Sequence, residues 1–172
     1  ERGVSIPAWE NAPMKDWQAR RMEVYAAMID MMDQGIGKII TTLDKKGMLD
    51  NTVILYMHDN GGCAEPLDSD QPEIAMTAEQ QKTHPFAKDS IFVGKKPIYT
   101  RDGQFIRSGM GVMPGPANSW VTYGMEWANV SNTPFKMYKH WTHEGGIASP
   151  LVINWPKGVK QKGAIRNQDA HL

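Results

Sequence analysis

The chain has 172 residues, 41% hydrophobic, 22% charged and 9% aromatic, an ordinary globular composition with enough length to bury one core, which excludes disorder, collagen and coiled coil. Nineteen basic residues balance nineteen acidic ones, so the footprint of a nucleic-acid or anionic-membrane binder is missing. No apolar run reaches the ~18 residues of a transmembrane segment, and the single Cys63 allows no internal disulfide.

In chain order, Met14 to Lys46 comes first. Met22, Tyr25, Ile29, Met32, Ile36, Ile39 and Leu43 recur at helical spacing, which predicts a long amphipathic helix with that stripe turned to a core. Gly35 and Gly37 inside it each cost about 1 kcal/mol relative to Ala and point to close packing against another backbone. Lys45-Lys46-Gly47 supplies the stop, with cations suited to the carboxyl end and glycine to a left-handed cap. The twelve methionines read as filler for irregular core gaps.

Asp50-Asn51 turns the chain, and Thr52 to Met57 is a continuous apolar, β-rich run, the pattern of a strand buried on both faces of a mostly parallel sheet. It runs into His58-Asp59-Asn60-Gly61-Gly62. Open α/β sheets bind ligands beyond the carboxyl ends of their strands, so a site is expected at this strand tip.

Ala64 to about Ser90 is a polar excursion punctuated by Pro66, Pro72 and Pro85, with a short helix expected around Ala78 to Lys82. Ile98-Tyr99-Thr100 and Gln104-Phe105-Ile106 flank Arg101-Asp102-Gly103, a hairpin signal. Gly109 to Pro116 is a loop. Ile147 to Trp155 is a second apolar run, broken by Pro150, and reads as an edge strand or one that begins after the proline. One apolar helix face and one doubly buried strand each need partners. With no internal repeat and no initiator Met, the expectation is a segment of a larger α/β domain.

Asp59 and Asn60 are adjacent oxygen ligands of the kind Ca²⁺ and Mg²⁺ take, and Asp-Asn-Gly is equally a common turn sequence. Lys139, His140, His143 and Glu144 form a second polar cluster. It lacks the zinc-protease spacing, and Gly145-Gly146 argue against a helix there. A lysine point charge suits sulfate or phosphate oxygens, and a solvated loop is the alternative. Cys63 reads as an incidental thiol rather than a nucleophile. Asn129-Val130-Ser131 is a glycosylation sequon, and Lys157, Lys160, Lys162 and Arg166 read as a solvated face.

Together these pieces are more specific. The run Tyr25 to Lys38, Asp50-Asn51-Thr52 before the strand, and Asp59-Asn60-Gly61-Gly62-Cys63-Ala64-Glu65 after it resemble the second half of the sulfatase catalytic domain. So do Tyr123-Gly124, Trp127-Ala128-Asn129, and Ser131 to Trp141 leading into Glu144-Gly145-Gly146-Ile147. Order and spacing are similar to arylsulfatase-type members of the alkaline-phosphatase-like superfamily, and Glu65 to Val121 is the stretch left unplaced. The resemblance implies part of an alkaline-phosphatase-like mixed-sheet sandwich. Within a single domain, 1–62 would carry helix and strand to the metal site, 63–121 a variable excursion, and 122–172 the lysine loop and a strand.

It also implies hydrolysis of a small-molecule or carbohydrate sulfate ester. In that chemistry a formylglycine, made from a Cys or Ser in a Cys/Ser-x-Pro/Ala-x-Arg motif, attacks sulfur beside a divalent cation, Ca²⁺ or alternatively Mg²⁺. On matching positions Asp59 and Asn60 would be metal ligands. Lys139 would be catalytic and substrate-binding, neutralising charge near the leaving oxygen, with His140 also touching substrate. A periplasmic or secreted location is the family expectation.

The departure is at the nucleophile. Cys63-Ala64-Glu65-Pro66-Leu67 has its proline one place late and no arginine, so the nucleophile and the other metal carboxylates are expected upstream of Glu1 and the 172-residue chain alone is expected to be inactive. His58 stands where the family often has a small hydroxyl residue. A phosphodiesterase or phosphonate hydrolase of the same superfamily is the nearest rival, because metal and lysine serve phosphate equally. A non-catalytic module that keeps the fold is the other.

Overall fold

The computed structural model describes residues 6–66, 69–87, 89–93 and 97–167. Leu67 and the terminal His171-Leu172 lie outside them. Two compact units are formed, one from Glu1–Ile29 with Asn60–Ala148, the other from Asp30–Asp59 with Ser149–Leu172.

The predicted long helix is present as α1, Lys15–Lys45. Its end follows the expected chemistry. Gly47 adopts φ +65°, its N–H donates to Asp44 O at 2.8 Å and the Met48 N–H reaches Leu43 O at 2.9 Å, a Schellman closure of the last turn.

In the first unit the buried face of α1 lies earlier than the predicted stripe, at Trp17, Gln18 and Arg21. Two of these are polar, and both are matched. Arg21 lies 4.3 Å over the Trp17 ring and donates to Thr122 O at 2.7 Å and to Gln18 Oε1 at 2.9 Å, while Trp17 Nε1 donates to Val112 O at 2.7 Å. Apolar periodicity cannot show such residues, because a buried guanidinium is retained by its partners rather than by its own hydropathy.

Helix α2, Gly124–Ser131, was not anticipated. It starts on Gly124 at φ +79°, where a Cβ would run into the Arg21 guanidinium, and Trp127 Nε1 donates to Gln18 O at 3.0 Å. Ala128, fully buried, joins Ile6 and Tyr138 in the core, with Ala64 and Tyr123 against them. The ring of Tyr123 stacks on Tyr25, centroids 4.9 Å apart.

The excursion is only partly regular. The short helix expected around Ala78 to Lys82 is a single turn, in which Thr77 Oγ1 accepts the Gln80 N–H while Gln80 Oε1 accepts the Thr77 N–H. This capping box starts a helix that does not propagate, as the cost of nucleation predicts for so short a run. The hairpin at Arg101–Gly103 is present, closed by Thr100 N–H to Gln104 O at 2.8 Å with Gly103 at φ +87°.

In the second unit the Thr52–Met57 run contributes β1, Ile54–Tyr56, paired with β2, Val152–Asn154. The pairing is antiparallel, Leu55 opposite Ile153, and this corrects the parallel, doubly buried strand. Val53, Leu55 and Met57 are 49, 46 and 43% exposed while Ile54 and Tyr56 are half-buried, the one-open-face pattern that antiparallel pairs allow. As expected, β2 starts after Pro150. Lys157 N–H donates to Asp50 O at 3.1 Å and Ser149 Oγ to His58 O at 2.6 Å, tying the two chain segments at both ends of the ladder.

Two further expectations are corrected. A Cβ on Gly35 or Gly37 would meet nothing within 4 Å, so no backbone packs there, and Ile29, Met32 and Ile39 stay exposed. Among the described residues no methionine is fully buried; Met22 and Met137 are half-buried and the rest are exposed, which corrects the reading of Met as core filler. Nothing among those residues covers the later turns of α1.

Candidate functional site

Beyond β1 the chain enters the first unit at Asn60. A Cβ on Gly61 would overlap Gly145 O, and one on Gly62 would meet the Tyr123 hydroxyl at 2.5 Å. Gly61 is therefore required by close approach of another backbone, while Gly62 lies against the side chains of Tyr123 and Asn132. Gly61 N–H donates to Gly146 O at 3.1 Å and Lys139 N–H to Gly62 O at 3.1 Å. Asn132 locks the junction, its Oδ1 accepting the Gly62 N–H and its Nδ2 donating to Met137 O and Gly145 O, each at 2.8 Å.

The 132–146 segment bends sharply to achieve this. It holds a cis Thr133–Pro134 peptide and left-handed φ values at Met137 (69°) and His140 (77°). It ends in α3, a single helical turn over Glu144–Ile147 that takes in the two glycines and leaves His140 and His143 outside any helix, as expected for those two residues. A Cβ on Gly145 would strike the Met137 and Lys136 carbonyls, and one on Gly146 the Trp141 and Tyr138 carbonyls. Steric need at these two positions outweighs glycine's poor helix propensity.

The predicted site residues Lys139 and His140 come together on a residue that sequence reasoning passed over. Glu65 Oε2 accepts from Lys139 Nζ at 3.1 Å and from the Cys63 thiol at 3.2 Å, while Glu65 Oε1 pairs with His140 Nε2 at 3.0 Å. The Cys63 thiol, the His140 imidazole and the Lys139 ammonium hold the Glu65 carboxyl down at about 2 against an ordinary 4.5. Burial pushes the Cys63 thiol up, which disfavours the thiolate and accords with an incidental cysteine. Glu65 sits inside the motif-bearing segment, but its partners lie far along the chain, and no local pattern marks that pairing.

Asp59 is exposed and closes the second unit, while Asn60 is half-buried and opens the first. Asn60 Nδ2 donates to Gly61 O at 2.8 Å, which leaves its amide oxygen as the atom suited to a hard cation. Among the described residues no three His, Cys, Asp or Glu side chains gather as a metal site. An aspartate and an amide oxygen in succession fit Ca²⁺ or Mg²⁺ by donor type and supply two of the six or so ligands such a cation takes. His143 and Glu144 are exposed, His143 in extended conformation just before α3, so His140 and His143 share no helix. Lys157, Lys160 and Lys162 are solvent-facing or nearly so, as the sequence suggested, and Asn129 of the sequon lies within α2.

Comparison with known proteins gives concordant results. The sulfatase family model matches residues 6–172. An uncharacterized sulfatase of Schizosaccharomyces pombe is 29% identical over 160 residues, covering 92% of this chain and 24% of that protein. An arylsulfatase of Klebsiella aerogenes is 33% identical over 160 residues, covering 91% of this chain and 28% of that protein. The chain thus spans about a quarter of the length of these curated relatives.

Proposed function

The chain belongs to the sulfatase family, and from that premise we propose that it forms the carboxyl-side part of the catalytic domain of an arylsulfatase-type sulfate ester hydrolase, within an alkaline-phosphatase-like α/β fold. Lys139 binds the sulfate group and offsets charge on the oxygen that departs, as a positioned ammonium does for a developing anion. His140 stands beside it as a second substrate contact. Asp59 and Asn60 hold a divalent cation, Ca²⁺ or Mg²⁺, which when bound supplies Lewis-acid polarisation of the sulfate oxygens. Cys63 stands in no Cys-x-Pro-x-Arg sequence, so on this reading formylglycine is furnished from outside these 172 residues and the chain alone has no turnover.

One observation carries the reading. The segment that follows Asp59-Asn60 and the loop that bears Lys139 are bonded to each other, backbone to backbone at Gly62 and Lys139 (3.1 Å) and side chain to side chain at Glu65 and Lys139 (3.1 Å). Within the first unit, the stretch that starts at the candidate cation ligand Asn60 is thereby bonded to the loop of the candidate sulfate ligand Lys139.

The test is hydrolysis by the full-length protein of 4-nitrophenyl sulfate against bis(4-nitrophenyl) phosphate. Preferential release from the sulfate, lost on chelation of divalent cations, is the expected result. Preference for the phosphate diester places the protein with the phosphodiesterases, and cation binding without turnover of either compound makes it a non-catalytic module.

A further inference from the structure

We infer that Glu65 is a positioning residue of this site, its carboxylate bridging Lys139 and His140 and setting where the lysine ammonium stands when a sulfate ester arrives. The role rests on the reading of Lys139 as the sulfate-binding residue. Lysine carries its charge on a long flexible stem, and a point charge helps a reacting oxygen only from the right place. The Lys139 backbone is already fixed by its bond to Gly62, and His140 is fixed in the left-handed region at φ 77°. Glu65 bears on the side-chain end, with both of its oxygens occupied, one by Lys139 and Cys63, the other by His140.

A purely structural ion pair is a poor account of this arrangement. The Lys139 and Glu65 side chains are 33 and 41% exposed, and ion pairs at that exposure add little to fold stability. The same carboxylate is worth far more as a locator, because a displacement of about 1 Å at a reacting centre costs up to 10²-fold in rate. Its place on the stretch that starts at Asn60 also links the lysine to that candidate cation ligand within the first unit.

The experiment uses the full-length protein carrying Glu65→Ala or Glu65→Gln, each with and without Lys139→Ala, and reads two quantities. The first needs no activity: competitive acylation of Lys139 by acetic anhydride, measured by peptide mass spectrometry with Lys157 as internal reference. E65A is expected to raise the Lys139 rate roughly twofold to fivefold relative to Lys157, the range an exposed ion pair supports. An unchanged ratio overturns the proposal.

The second is aryl sulfate hydrolysis as a double-mutant cycle. E65A is expected to lower kcat/KM roughly tenfold when Lys139 is present and less than about twofold in the K139A background, with E65Q recovering to within about threefold. Equal losses in both backgrounds overturn positioning in favour of general structural damage. If K139A leaves hydrolysis untouched, or no sulfate ester is turned over, the reading of Lys139 falls. The acylation ratio then still decides whether Glu65 holds the lysine.

Discussion

The side-chain oxygen of Asn132 accepts the backbone N–H of Gly62 at 2.8 Å, and the amide nitrogen of the same residue donates to the carbonyls of Met137 and Gly145. One half-buried amide therefore satisfies three backbone groups from three places in the chain. Asn132→Ala is expected to destabilise the protein by about 2–3 kcal/mol, the sum of three modest hydrogen bonds. Asn132→Asp keeps the acceptor but sets a carboxylate against two carbonyl oxygens, so it should not rescue. Denaturant unfolding checks both, and an alanine variant as stable as wild type contradicts the clamp.

Two glycine substitutions should have opposite signs. Gly61→Ala forces a methyl onto Gly145 O, where backbone must shift, and is expected to cost about 1–3 kcal/mol. Gly35→Ala lies inside α1 with nothing within 4 Å of the new Cβ, and is expected to stabilise by about 0.5–1 kcal/mol through helix propensity. Thermal unfolding of the pair gives the comparison, and a destabilising Gly35→Ala means that something covers that helix face.

For the proposed reaction, Lys139→Ala is expected to lower aryl sulfate hydrolysis roughly 10²- to 10³-fold, as loss of one charge-stabilising group does elsewhere. Asp59→Ala should lose bound divalent cation, which elemental analysis of the purified protein measures independently of turnover. Retention of a full complement of cation by Asp59→Ala counts against its assignment as a ligand.

The pH dependence at Glu65 has a definite sign. Its carboxyl is held at about 2 in the fold against an ordinary 4.5, so the folded state favours the ionised form. The contribution is fully present above about 4.5 and is lost as pH falls toward about 2. With the Glu65 side chain 41% exposed, the contribution is small and weakens with salt. Carbon-13 titration of the Glu65 carboxyl should show the low midpoint and an upward move in Lys139→Ala. A wild-type midpoint near 4.5 removes the network.

The extent of α1, its glycine-capped end, the hairpin at Arg101–Gly103 and the start of β2 after Pro150 were all legible in the sequence, because each rests on interactions among near neighbours. Lys139 and His140 stand out in the sequence as polar neighbours ahead of two glycines, within a run that resembles the family motifs. Glu65 was printed in the same motif-bearing run yet stayed unmarked, since a carboxylate gains its role only from cations that the fold brings to it. The same holds for Gln18 and Arg21, polar residues buried on a helix whose hydropathy placed the core elsewhere.

Local chemistry thus determined where α1, the hairpin turn and the two strands would form, for their dihedral preferences and end signals close within a few residues, whereas α2 escaped it. Tertiary structure alone decided the partners: an antiparallel rather than parallel neighbour for β1, and Arg21 beneath the start of α2. It also decided that glycine at 61 is needed for a backbone crossing, and that Asn132 and Glu65 each bond groups from distant parts of the chain. Those outcomes depend on which distant groups meet at van der Waals and hydrogen-bond distance, a condition of three-dimensional packing that has no signature in residue order.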